Sequence, residues 1–112
     1  MTFTDRSVNA HDDKVDKMRD DQRVQRLKEA RLALKKLFNA GLEKKSDGQL
    51  TETEECVFFA LASSLKGKRF TGFGVYFKKH NEYGFWLKER EAPDPTIRSY
   101  KCDALFSNAV EL

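Results

Sequence analysis

The residues best suited to binding chemistry lie between positions 69 and 88. Two aromatic rings, those of Tyr76 and Trp86, stand there among basic side chains. The basic residues are Arg69, Lys78, Lys79 and Lys88. An aromatic ring beside cations can stack an unpaired base and neutralise its phosphate, and the same residue types are common energetic anchors of protein interfaces. We therefore predict that these six residues bind a partner.

Catalytic chemistry has no comparable set of residues. The two histidines, His11 and His80, have no serine or cysteine nucleophile at a spacing typical of catalysis. Cys56 and Cys102 lie far apart and form no zinc-binding spacing with the histidines. The sequence also lacks a glycine-rich phosphate loop that ends in Lys and Ser or Thr. We expect a protein that is not an enzyme and that uses no metal or cofactor.

The binding residues belong to a predicted β-hairpin, because apolar residues alternate over positions 70–87. Those that share one face are Phe73, Val75, Phe77, Tyr83, Phe85 and Leu87. A three-residue loop over 79–81 needs a left-handed residue near its end, which Asn81 can supply. With that loop, Phe73 pairs with Leu87, and this face builds the core.

The predicted register places the two binding rings on the opposite face of the hairpin. Trp86 then covers the bare backbone of Gly74, and Tyr76 covers that of Gly84. We expect this second face to be the partner-binding surface.

A helix is predicted from Asp13 onward, because apolar residues recur there at three- and four-residue steps. Its stripe consists of Val24, Leu27, Ala30, Leu34, Leu37 and Phe38. Gly41 is suited to the C′ position that ends such a helix. Its other faces form a second candidate binding surface, the basic residues Arg23, Arg26, Arg31 and Lys35.

A second helix is predicted after Leu50. Thr51 and Glu54 have the spacing of a capping box. An apolar stripe follows, made of Val57, Phe58, Leu61 and Leu65. With Gly67 as its end and only a short connection before it, this helix should form an antiparallel hairpin with the first.

The predicted fold is therefore α+β, with an antiparallel helix hairpin packed on a small antiparallel sheet of two or three strands. Residues 96–101 are the candidate third strand, and Asp103 begins a predicted short C-terminal helix. The apolar residues of that helix are Leu105, Phe106, Ala109 and Val110. We expect one domain over 13–112. Residues 1–12 are polar and lack periodicity, which is typical of a mobile N-terminal tail.

Charge along the chain is segregated, although the net charge of the 112 residues is only +3. Residues 23–45 carry eight basic and two acidic side chains, a net charge of +6, whereas residues 46–65 carry four acidic side chains and no lysine or arginine. Such blocks hold basic and acidic elements together, or attract nucleic acid or an acidic protein.

These features predict a small, non-catalytic binding protein. No apolar run approaches the roughly 18 residues that a membrane span needs, and two cysteines are typical of a reducing cytoplasm. A larger protein or protein complex is the favoured partner, so the chain would be an inhibitor, adaptor or regulator of the kind that viruses and mobile elements also make. The alternative is a nucleic-acid-binding protein that uses the aromatic and basic sheet face and the basic helix. The oligomeric state stays open.

Overall fold

In a computed structural model, the described part of the chain forms one long helix and a six-stranded antiparallel sheet. The structure describes the backbone of residues 2–65, 67–89, 93 and 96–112, and the side chains of 18–62, 67, 69–89, 93 and 96–112. The elements are α1 (Thr2–Asn39), β1 (Gly48–Glu52), β2 (Cys56–Leu65), β3 (Lys68–Phe77), β4 (Glu82–Glu89), β5 (Ile97–Cys102) and β6 (Val110–Glu111).

The strands lie in the sheet in chain order, and each pairs antiparallel with the next. The long pairings are those of β2 with β3 and β3 with β4, whereas β6 contributes two residues at one edge. This meander needs only short connections, so the chain never has to cross the sheet.

The predicted helix hairpin on a two- or three-stranded sheet is wrong, because the second predicted helix is two strands. Residues Gly48–Glu52 and Cys56–Leu65 form β1 and β2. Thr51 and Glu54 do not form a helix cap: Thr51 pairs with Phe58 as part of β1, and Glu54 lies in the connection after that strand. In this connection, the Thr53 backbone N–H donates to the Cys56 carbonyl over 2.8 Å. Its hydroxyl accepts from the Cys56 backbone N–H over 3.1 Å, and together these bonds close the turn between the two strands.

Apolar residues on both faces of β2 explain this error. Cys56, Phe58 and Ala60 are buried against the helix, while Val57 and Phe59 alternate with them on the other face. A strand that is apolar on both faces shows a continuous apolar run, and such a run also contains helical spacings. The aromatic and β-branched residues at its centre favour a strand.

The first helix was predicted correctly in its apolar stripe and its end. Leu27, Ala30 and Leu34 are buried. Gly41 has φ of 114°, and the Leu42 backbone N–H donates to the carbonyl of residue 37 over 3.0 Å, which is the Schellman arrangement. The helix begins at Thr2, upstream of the position that periodicity predicts; the mobility of residues 1–12 stays a prediction.

The main core lies between α1 and the sheet. Its buried members are Leu27, Ala30, Leu34, Leu50, Cys56, Phe58, Val75, Phe77 and Trp86. At one side of this layer, ion pairs also join the helix to the sheet. Asp20 lies 2.8 Å from the Lys101 ammonium of β5, and Arg26 lies 2.5 Å from the Glu82 carboxylate of β4. These contacts orient α1 on the sheet.

The pairing of β3 with β4 is displaced by one residue from the predicted register. Phe73 pairs with Trp86, and Phe77 pairs with Glu82. The connection therefore covers residues 78–81 rather than 79–81, although Asn81 has the expected left-handed φ of 51°. A slip of one residue turns every side chain of a strand to the other face. Trp86 consequently faces the helix, and it is 5% exposed.

The end of the chain agrees with the predictions only in part. The third predicted strand is present as β5, Ile97–Cys102. The predicted C-terminal helix is wrong: Ala104–Phe106 form one 3₁₀ turn, which is interrupted by a left-handed Leu105, and the chain then returns to the sheet as β6. One turn cannot present the apolar stripe that the spacing suggested.

We expect Trp86→Ala to lower the free energy of unfolding by about 3–5 kcal/mol, because it removes a buried indole from the core. Leu87→Ala, which alters the neighbouring and only half-buried residue, should cost clearly less. Urea denaturation of both variants measures the difference. Equal costs, or a larger cost for Leu87→Ala, would contradict the observed register.

Candidate interface on the outer sheet face

The sheet face opposite α1, here called the outer face, is mostly apolar and aromatic. Strand alternation and register place on it Val57, Phe59, Leu61, Tyr76, Tyr83, Phe85, Leu87 and Tyr100. Within residues 57–61, 72–76, 83–87 and 98–102, Arg98 is the one charged residue at an outer-face position. Such a surface resembles the aromatic, charge-depleted centre of a protein interface.

The rings of the outer face contact one another in pairs across neighbouring strands. Tyr76 and Tyr83 have centroids 4.6 Å apart, and Phe85 stacks on Tyr100 at 4.8 Å. The Tyr76 hydroxyl donates to the Asn81 side-chain carbonyl over 2.9 Å. Cross-strand aromatic pairs stabilise a sheet, so the outer face is a rigid surface.

Phe106 packs against the outer face and so holds the segment after β5 on the sheet. Its ring lies edge-on to Phe59 at 5.2 Å and to Tyr83 at 5.9 Å. It sits on the bare backbone of Gly74, where a Cβ atom would clash with the Phe106 ring. Gly74 is therefore required for this contact, and the ring that covers it is Phe106, not Trp86 as the sequence predicted. Gly84 is covered by Leu27 of the helix, not by Tyr76.

Residues 103–108, here called the anchor loop, have a strained but well-bonded backbone. Leu105, Phe106 and Asn108 have φ values of 60°, 58° and 52°, a region that non-glycine residues rarely adopt. The Asp103 backbone N–H donates to the Ser107 carbonyl over 2.9 Å, and the Asn108 amide donates to the Asp103 carboxylate over 2.9 Å. These bonds maintain the unusual conformation.

The anchor loop presents Leu105 to solvent, where its side chain is 92% exposed. Left-handed backbone costs on the order of 1–2 kcal/mol for a residue with a Cβ atom, and an exposed leucine recovers none of that cost by burial. Strain that is retained beside an exposed apolar side chain is typical of a functional segment. The loop and the outer face together form the candidate interface.

The structure does not bring the two predicted binding rings together. Trp86 lies on the helix side of the sheet, 5.9 Å from the Phe73 ring, whereas Tyr76 lies on the outer face. They therefore cannot contribute to one contact surface. Partner binding by either residue stays a prediction.

The basic residues that were predicted to bind a partner together with these rings do not form one cluster. Lys78 donates to the Thr53 carbonyl over 2.8 Å and lies 3.4 Å from the Glu52 carboxylate. Exposed positions are occupied by Lys79, Lys88 and Arg69. Whether these side chains bind a partner also stays a prediction.

The second predicted surface, on the helix, divides into two pairs. Arg23 and Arg26 turn toward Glu82, whose carboxylate lies 3.5 Å from the Arg23 Nε atom. Arg31 and Lys35 form no ion pair with any described carboxylate. The charge of the first pair is largely compensated, while that of the second is available.

Sequence reasoning missed Leu105 and Phe106, because their spacing with Ala109 and Val110 suggested a helix. Two signals were present. Asp, Ser and Asn residues within 103–108 favour turns, and Gly74 inside a strand indicates a close approach by another group. Neither signal identifies the approaching residue, which comes from more than thirty positions away.

The two free thiols are poor nucleophiles. Burial raises the pKa of the Cys56 thiol, with a further contribution from Glu55. Burial, followed by the Asp103 carboxylate, raises the pKa of Cys102 to about 11. The two cysteines lie in β2 and β5 on opposite faces of the sheet, so they are not placed to form a disulfide with each other. In the described residues, no group of three or more His, Cys, Asp or Glu side chains is arranged to hold a metal.

Comparisons of the chain with protein-family models, with curated protein sequences and with solved structures found no match. Within the residues that the structure describes, no helix combines the length and the apolar character needed to cross a membrane. The evidence for function is therefore the geometry of the outer face and the anchor loop.

We expect Leu105→Gly to raise the free energy of unfolding by up to about 1 kcal/mol. Glycine adopts a left-handed backbone without strain, which outweighs its extra entropy in the unfolded chain. Leu32→Gly is the matched control, since Leu32 is 58% exposed in the middle of α1. That substitution should lower stability by about 1 kcal/mol. Thermal and urea unfolding of both variants gives the signs, and a loss of stability in Leu105→Gly would contradict the strained loop.

Proposed function

We propose that this protein is a non-catalytic binding protein whose partner is a larger protein. The outer face docks on the partner, and Leu105 enters an apolar pocket of that partner. The observation that carries the proposal is the 92% exposure of Leu105 on a strained loop that Phe106 holds against the sheet. The protein would act by occupying a site on its partner, as protein inhibitors, adaptors and regulators do.

The chemistry of the outer face favours a protein over a nucleic acid. Nucleic-acid affinity depends largely on cations that neutralise phosphates, and Arg98 is the cation among the central outer-face positions. Half-buried tyrosines, by contrast, combine apolar area with a polar hydroxyl and are frequent hot-spot residues. Tyr76, Tyr83 and Tyr100 all lie on this face.

The anchor loop is prepared for binding before the partner arrives. Its hydrogen bonds and the Phe106 contacts fix the backbone, so little conformational entropy remains to be lost in the complex. Burial of an exposed leucine side chain contributes about 1.5–3 kcal/mol. Leu105 is consequently an efficient anchor for its size.

We assign the protein to a reducing compartment, the cytoplasm. The free state of Cys56 and Cys102 supports this assignment, because disulfides persist mainly in oxidising compartments.

The test is quantitative affinity capture from a nuclease-treated extract of the native host, with the wild-type chain, Leu105→Asp and Leu32→Asp as baits. A charge in an apolar pocket should reduce capture by Leu105→Asp at least tenfold, which corresponds to about 1.4 kcal/mol. Leu32→Asp should capture the same proteins as the wild type, because this leucine, which is 58% exposed, lies on the helix, away from the outer face.

Thermal unfolding of the three baits confirms that each is folded. A partner that Leu105→Asp retains as well as the wild type would contradict the proposal. The proposal would also be contradicted if every captured ligand were lost when the extract is treated with nuclease.

A further inference from the structure

A row of cations follows one face of α1 on the side away from the outer face. Lys28, Arg31 and Lys35 are spaced by three and four residues, so their side chains are neighbours on the helix surface. Lys28 and Lys35 are exposed, and Arg31 is half-buried. The row is therefore open to a ligand along about two helical turns.

A cavity of about 600 Å³ lies between this row and the edge of the sheet. Lys28 and Arg31 line it from the helix, and Arg98 lines it from β5. Glu111 contributes one carboxylate, and Leu112 contributes apolar surface. Three cationic side chains and one carboxylate side chain thus line this space.

A second cavity, of about 210 Å³, shares Arg31 with the first and continues along the helix. Lys35 and Lys44 line it together with aromatic and apolar residues, which are Leu34, Phe38, Phe73 and Trp86. The Lys44 ammonium lies 6.0 Å from the centre of the Phe38 ring. This cavity is an aromatic recess with cations at its rim.

Within the described residues, the cations of the two cavities take part in no ion pairs. These cations are Lys28, Arg31, Lys35, Lys44 and Arg98. On the same helix, two other arginines are paired with Glu82. A groove lined by these five cations concentrates positive potential and attracts an anionic ligand.

We propose that the basic groove formed by the two cavities binds single-stranded nucleic acid. The cations contact successive phosphates, and one base enters the aromatic recess against the Phe38 ring. Cations that follow a backbone and an aromatic ring that stacks a base are the two components of single-strand binding.

Two other anionic ligands fit the groove less well. A duplex keeps its bases stacked inside a convex rod, so it could place none of them in the recess. An acidic peptide would satisfy the cations but would leave the aromatic recess without a ligand group. The combination of cations and recess therefore favours an unpaired strand.

The basic groove and the proposed protein-binding surface meet at Arg98, at the edge of the sheet, but the residues that test them lie on opposite sides of it: Leu105 on the outer face, and Arg31 and Lys35 on α1. Leu105→Asp should leave nucleic-acid affinity unchanged, whereas Arg31→Gln/Lys35→Gln should leave protein capture unchanged. Failure of one proposal is thus distinguishable from failure of the other.

The experiment measures binding of fluorescein-labelled 15-nucleotide strands, one of deoxythymidine and one of uridine, by fluorescence anisotropy. With about four phosphates neutralised, log K should fall against log salt with a slope of about −3, which is roughly a 50-fold loss between 50 and 200 mM salt. Fluorescence of Trp86, the one tryptophan of the chain, should decrease on binding because it lines the recess.

The double variant Arg31→Gln/Lys35→Gln should bind at least tenfold more weakly, with a slope smaller by about 1.4. The matched control, Lys36→Gln/Lys79→Gln, removes the same charge from exposed positions that do not line either cavity. It should lose much less affinity. Glu111→Gln should bind more tightly, because it removes the carboxylate from the groove.

Four results would overturn the proposal. These are no binding at 50 mM salt, equal losses in the double variant and its control, equal or tighter binding of a 15-base-pair duplex, and equal competition by a 15-residue polyglutamate peptide. The last result would instead assign the groove to an acidic protein segment.

Discussion

The register between β3 and β4 is the constraint on which the rest of the structure depends. Pairing of Phe73 with Trp86 places the indole under α1 and leaves Tyr76 and Phe85 on the outer face. Because side chains alternate along a strand, a register shift of even one residue would exchange the two faces of that strand completely. The bare backbone of Gly74 follows the same register, since it comes to lie where Phe106 can cover it.

The two faces of the sheet then acquire different chemistry. The helix-facing side buries the main core, and ion pairs at its margin fix the helix relative to β4 and β5. The outer face is aromatic. Within the described residues, the anchor loop is the segment that covers part of it. Positive charge accumulates on the helix side, along the row that includes Arg31 and Lys35. A small sheet and one helix thus separate an apolar surface from a basic groove.

Local signals were sufficient to predict some of this structure. The stripe of α1, the glycine that ends it, the aromatic hairpin and the left-handed Asn81 all follow from short sequence patterns. Strand β2 was misassigned because it is apolar on both faces, which removes the alternation that identifies a strand. The register was misassigned because three- and four-residue connections differ by one residue and the hairpin is apolar on both sides. The candidate interface depends on contact between Phe106 and Gly74, and a sequence pattern does not reveal such a distant contact.

Nuclear Overhauser effects between the backbone Hα and amide protons of β3 and β4 test the central claim most directly. The observed register predicts cross-strand effects that join Phe73 with Trp86 and Tyr76 with Tyr83, together with contacts from the Trp86 indole to Leu34 of the helix. Cross-strand effects that join Phe73 with Leu87 would contradict it. In that register the indole would lie on the outer face, and both the core and the candidate interface would have to be reassigned.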